Sequence, residues 1–253
     1  MAETLRDVLD AVARGAFPPA DGRTTVVGQA CDRDAGVIAF TGHSVVFTDE
    51  DPRWVYDTLG ALDCDPLAAP LHPRFLTAFL DRTGRRTETV DGLLVAAPLP
   101  GRPALTLREI EDTGHPRVAY ARRRREEVRV WTADGGVLVT GRGVGGRLEV
   151  SVELDEEREG HGGCEGHEGR EEHAGQGEHA GHERGRAGGG PGRPGLGRAL
   201  VTAARQLVTE PLWAQIAPGN ARSARAFQAA GYRQVGAEAL LLRATGGGSA
   251  GGV

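Results

Sequence analysis

Apolar residues recur at helical spacing near both ends of the chain and alternate in its middle. Leu5, Val8, Leu9 and Val12 share one helical stripe, which predicts an amphipathic helix over residues 3–14. "TTVVGQA" and "GVIAFTGHSVVFT" are rich in β-branched residues and predict strands. Asp51-Pro52 is a helix start, an N-cap followed by proline at the first helical position. That helix would carry Trp54, Val55, Leu59 and Leu62. A second, in "PRFLTAFLDRTG", would bury Phe75, Leu76, Phe79 and Leu80 and stop at Gly84. "GLLVAAPL" predicts a further strand, so residues 1–110 are expected to form a smaller N-terminal α/β domain without a visible catalytic cluster.

Beyond it, "YARRRREEVRVWTADGGVLVTGRGVGGRLEVSVELD" predicts a three-strand meander. Its turns fall at Asp134-Gly135 and Gly145-Gly146. In the last strand Leu148, Val150, Val152 and Leu154 take one face, and Glu149, Ser151 and Glu153 the other. The run Arg122 to Arg125 is expected on a solvated face. Order is expected to lapse over residues 156–191, where glycine, histidine and glutamate leave too little apolar surface to offset the entropy of ordering. It returns with a helix carrying Leu196, Leu200, Ala203, Ala204 and Leu207. A strand "LWAQIA", a helix capped by Asn220 and ended by Gly231, and a strand "ALLLR" follow; residues 246–253 are expected to be a disordered tail.

The net charge of -5 belongs to the insert. Between Asp155 and Arg186 there are ten carboxylates against four arginines, which leaves the remainder of the chain close to neutral. No basic face of the kind that binds nucleic acid is implied. Every basic residue is arginine. Cys31, Cys64 and Cys164 form neither a CxxC pair nor a disulfide framework. The N-terminal segment is charged, and no apolar run reaches the roughly 18 residues of a membrane span. A cytoplasmic protein without a membrane partner is expected.

The order of meander, alternating strand, glycine-rich loop, helix, strand, Asn-capped helix, "AAGY" and strand resembles the GNAT acetyltransferase superfamily, over about residues 115–243. The resemblance implies a mixed, mostly antiparallel α/β sheet flanked by helices, with the acetyltransferase domain at 111–245. It implies acetyl-CoA as co-substrate, no metal, and an amine acceptor, either a small molecule or a peptide, attacking directly in a ternary complex. In that family an R/Q-x-x-G-x-G/A loop binds the pyrophosphate of acetyl-CoA. Here Gly192, Arg193, Pro194, Gly195, Leu196 and Gly197 match it, with Arg198 following; the leading Arg or Gln is replaced by Gly192. The physical reason is independent of the family. Glycines admit close approach of the backbone to phosphates, and a helix N-terminus presents free N–H groups and a positive dipole end.

By the same resemblance, backbone near Val152 to Leu154 would hold the pantetheine arm. Glu153, and after it Glu149, would serve as base for the acceptor ammonium. Phe227 stands where many members carry a tyrosine acid, so Ser223 or water would protonate the thiolate. Asn220 would cap its helix or also touch the cofactor. Two other readings stay open: a CoA-binding sensor without turnover, and metal binding through His161, Cys164, His167, His173, His179 and His182 of the insert. His43, His72 and His115 are read as packed or turn residues. The sequence leaves the oligomeric state open, a homodimer included.

Overall fold

A computed structural model describes residues 3–111, 114–155 and 195–243. Helix α1 (Leu5–Ala13) opens with Thr4 and Asp7 forming a reciprocal capping box, and buries the predicted stripe of Leu5, Val8, Leu9 and Val12. Strands β1 (Thr24–Val27), β2 (Asp34–Phe40) and β3 (His43–Phe47) follow. Helices α2 (Pro52–Gly60) and α3 (Pro73–Thr83) each start on a proline; Asp51 caps the first, His72 caps the second through Nδ1, and Gly84 ends the second in the left-handed region. Strands β4 (Arg85–Arg86), β5 (Val90–Ala96) and β6 (Arg108–Ile110) lead to α4 (Pro116–Arg124), capped by His115. The predicted meander is β7 (Glu126–Ala133), β8 (Gly136–Arg142) and β9 (Leu148–Leu154). The chain ends in α5 (Leu196–Gln206), β10 (Leu212–Ile216), α6 (Ala221–Ala229) and β11 (Arg233–Arg243).

The strands join one mixed α/β sheet in the order β1-β3-β2-β11-β5-β10-β9-β8-β7-β6, with β4 on β11. Two pairings on this path are parallel, β1 with β3 and β9 with β10; the others are antiparallel. The expected boundary at residue 110 does not divide this sheet. β5 lies between β10 and β11, and β11 continues onto β2, so strands from both halves interleave. Local patterns predict strands, but strand order depends on distant pairings that no local window contains.

Cross-strand partners share a face, which sorts the helices. One face carries Leu94, Leu212, Ala214 and Val150 beneath α5 and α6, and Val37, Val46 and Leu241 beneath α2 and α3. The other carries Ile38, Val45, Leu93 and Trp213 beneath α1, and Val130, Val137 and Val139 beneath α4. On this second face β9 lies between the strands beneath α1 and those beneath α4. Close approach is built in at the β7–β8 turn. A side chain at Gly135 would come within 3.0 Å of Leu196, and one at Gly136 within 3.0 Å of Leu200, so these glycines seat α5.

Candidate functional site

β9 and β10 run parallel but pair only at Leu212 with Leu148 and Trp213 with Glu149. From there β9 stays on β8 as far as Leu154, while β10 stays on β5 as far as Ile216. The sheet therefore parts into a wedge. Alternate peptide groups of Val150 to Leu154 face that wedge without a strand partner among the described residues.

The N-terminus of α5 stands at its open end. Gly195 occupies the left-handed region at φ 87° and offers no capping side chain, and a side chain there would meet nothing within 4 Å. Gly197 lies between the end of β9 and α6: its Cβ would sit 3.9 Å from Leu154 and 3.7 Å from Ala226. Leu196 is buried and anchors the turn, while Arg198 is exposed. No acidic residue occupies the first turn. These features suit an anion at this helix end. Gly192 and Arg193, the expected first half of the loop, lie outside the described residues, as do the histidines and Cys164 of the insert. Among the described residues no cluster of three or more His, Cys, Asp or Glu is placed to hold a metal ion.

On α6, Asn220 accepts a hydrogen bond from the Ser223 amide at 3.0 Å and caps the helix. Ser223 is half-buried one turn in. Phe227 is buried edge-on against Tyr232, their ring centres 4.8 Å apart. The Tyr232 hydroxyl donates to the Val201 carbonyl at 3.4 Å, and burial raises its phenol above the ordinary range. Neither ring offers a proton to the wedge.

The two candidate bases differ sharply. Glu149 is only 4% exposed. Its carboxylate accepts from Arg125 at 2.9 Å, from Arg147 at 2.9 Å and from the Val144 amide at 3.3 Å. Burial pushes this carboxyl up, but the charges of Arg147 and Arg125 outweigh burial and hold it below its ordinary value. A carboxylate so committed is a poor base, and Glu149 serves the frame of the site. Glu153, nearer the open end, is half-exposed and paired with Arg117 of α4 at 2.7 Å. Arg125 departs from the solvated position expected for its run: its side chain is 10% exposed and also donates to Ser151 at 3.1 Å.

Four residues, Arg147, Glu238, Gln215 and Asp91, complete the site. Arg147 is 3% exposed and bridges Glu149 to Glu238, donating to Glu238 at 2.7 and 3.2 Å. Its guanidinium lies 5.5 Å from the Trp213 ring centre. Gln215 of β10 donates to the Glu238 Oε2 that also accepts from Arg147. The row Arg125, Glu149, Arg147, Glu238 thus alternates in sign and sums to zero. Asp91 stands directly across from Glu238 in the β5–β11 register. It brings one more negative charge, and its Oδ1 is buried with no hydrogen-bond partner. Burial first, then the neighbouring Glu238 and Glu88 charges, push its carboxyl up to about 6. A signal was available for Glu238, a lone acid inside the apolar run "GAEALLL". None marked Asp91.

No protein-family model matches this chain, and no curated protein matches it. A solved structure described as a GCN5-related N-acetyltransferase from Kribbella flavida is similar at 17% identity with a TM-score of 0.36, over 69% of this chain. The match covers 65% of that structure's length, which is less than two thirds of it.

Two consequences are measurable. Arg147→Met leaves the buried Glu238 carboxylate without a counter-charge and Glu149 with Arg125 alone, and should cost about 3–5 kcal/mol in urea unfolding. Asp91→Asn should act through pH. The folded carboxyl titrates near 6, above its ordinary 3.8. The stability contributed by the neutral acid is therefore complete below 3.8 and is lost as pH rises through 6. Asparagine stays neutral, so Asp91→Asn should raise stability by about 1–2 kcal/mol well above the folded value, after discounting for partial exposure, and change it little near pH 4.

Proposed function

We propose that the chain transfers an acetyl group from acetyl-CoA to an amine. The observation that carries this reading is the wedge between β9 and β10, with the glycine-started N-terminus of α5 at its open end. It suits a thin acyl-pantetheine arm lying along β9 with its pyrophosphate against helical N–H groups. The amides and carbonyls of Val152 to Leu154 would hold the arm as an added strand holds its neighbour. Gly195, Leu196, Gly197 and Arg198 would receive the phosphates, helped by Gly192 and Arg193. Asn220 keeps α6 in place beside them.

The acceptor would enter from the face that carries Glu153, Ser151, Gln215 and Asp91. A buried carboxylate oxygen with no donor is a place for an ammonium. Asp91, with its carboxyl near 6, can also take a proton at neutral pH, which a group held below its ordinary value does poorly. Asp91 is two strands from β9, and because the sheet has parted at that level the separation exceeds the roughly 10 Å of two ordinary strand spacings. Its proton transfer therefore passes through water. Glu153 lies closer and balances acceptor charge against Arg117. In the step, the amine nitrogen forms a bond to the thioester carbon and the carbon–sulfur bond breaks. The proton of the amine goes to Asp91 by way of water, and the thiolate is protonated from Ser223 or from solvent.

The test compares thermal melting with and without acetyl-CoA for the parent and for Gly197→Asp. An acidic residue is welcome in the first turn of a helix, and Gly197 has room for a side chain, so this variant should fold. At a ligand concentration a hundredfold above Kd the parent should gain about 2.7 kcal/mol, and the variant should lose the gain by repelling phosphate. With an amine that supports thiol release, Asp91→Asn should lower kcat/KM by about 100-fold, and the parent profile should rise through pH 6. No melting shift in the parent would reject the reading. Binding without thiol release for any amine would leave a CoA sensor.

A further inference from the structure

A cavity lined by described residues lies far from the wedge, at the other end of the sheet. It measures about 990 Å³ and is bounded by α1, α2, β1 and β3, with Phe17, Pro18, Val45, Leu59 and Leu62 among its apolar walls. Strands β3, β2, β11 and β5 separate β1 from β10, so this cavity is distinct from the acetyl-transfer site proposed above. Three polar side chains of its wall form a connected line. Thr25 Oγ1 lies 2.9 Å from His43 Nε2, and His43 Nδ1 lies 2.8 Å from Asp21 Oδ1. The strand register fixes the first contact: Thr25 pairs with Val45, and His43 is two residues away on the same face of β3.

The protonation pattern follows from the donors available. Asp21 is held below its ordinary value, by the His43 hydrogen bond first and then by the Arg23 amide, so it is an acceptor only. The His43 Nδ1 therefore carries hydrogen in the neutral ring, and Nε2 is left to accept from the Thr25 hydroxyl. His43 is 6% exposed, which keeps water from competing for either nitrogen. β1 is an edge strand. Its ladder to β3 uses the carbonyls of Arg23 and Val27, so the amides of alternate residues Thr24 and Val26 face off the sheet. The Val26 amide thus follows the hydroxyl directly in sequence and is free of the ladder.

We propose that Thr25, His43 and Asp21 form a second catalytic site that hydrolyses an ester or thioester of a small apolar acyl group. Thr25 Oγ1 attacks the acyl carbon as its proton passes to His43 Nε2. The carbon–oxygen or carbon–sulfur bond to the leaving group then breaks, and that group takes the proton from His43. Water attacks the acyl-threonine, His43 takes the proton of the water, and Thr25 leaves as the hydroxyl by recovering it. Asp21 positions the ring and touches no substrate. The Val26 amide stabilises the oxyanion.

The probe is p-nitrophenyl butyrate with the full chain. Saturable release of nitrophenolate is expected, with a butyryl group mapped by mass spectrometry to Thr25. Thr25→Val and His43→Gln should each lower turnover by at least about 100-fold, while Cys64→Ser, on the same cavity wall, should leave it unchanged. Melting of each variant separates lost chemistry from lost fold. If Thr25→Val does not fold, the acyl site in the parent decides. Butyrylation of Cys64 or of any residue other than Thr25, or turnover unchanged in the folded His43→Gln, overturns the proposal, as does the absence of saturable hydrolysis.

Discussion

The Arg147 guanidinium holds together the place where the sheet comes apart. On one side it grips Glu149, the last residue of β9 that pairs with β10; on the other it grips Glu238 of β11, which lies beyond both β10 and β5. It thus spans the point at which β9 and β10 part, stacked on Trp213 of the last shared rung. A wedge in a sheet exposes unpaired peptide groups and loses packing, so its apex needs a strong and directional tie. A buried guanidinium with carboxylates at both ends provides one, because Glu238 and the guanidinium would lose their pairing if the apex slipped. Even the backbone nearby is fitted to it. Gly143 leaves room for the Glu149 carboxylate, which a side chain at that position would strike.

Charge balance along this tie explains the unusual state of Asp91. Arg125, Glu149, Arg147 and Glu238 compensate one another, and Gln215 fills a remaining position on Glu238. Asp91 comes after the balance is closed. It is half-buried, lies beside a like charge and has an oxygen with no partner. Such a group weakens the fold whenever it is ionised, and stability alone would favour a neutral residue. Local destabilisation of this kind marks positions where a ligand supplies the missing partner. A protonated amine would be the chemically matched partner, as the proposed acceptor face requires.

Much of the secondary structure was legible because its signals are local. The stripes of α1 and α5, the proline starts of α2 and α3, the Asn220 cap and the alternation of β9 each lie within one window of sequence. The glycine-started helix was legible for the same reason. The insertion of β5 between β10 and β11 was not, because nothing in "GLLVAAPL" states which strands will flank it. This also hid the site: Asp91, Gln215 and Glu238 are 23 to 147 residues apart and become neighbours only through strand order. Glu149 and Glu153 look equivalent in sequence, two residues of the same parity on one strand. Their difference comes from Arg147 and Arg125 closing over one and only Arg117 reaching the other. Thr25 and His43 were likewise separated until the β1–β3 register set them side by side.

Amide hydrogen exchange of the full chain with and without acetyl-CoA tests the central claim most directly. If the wedge receives the acyl-pantetheine arm, saturating acetyl-CoA should slow exchange in residues 150–154 of β9 and in the first turn of α5 from Gly195 to Ala199, and leave β1 to β3 unchanged. Protection confined to other elements, or none with acetyl-CoA bound, would contradict the account of the wedge.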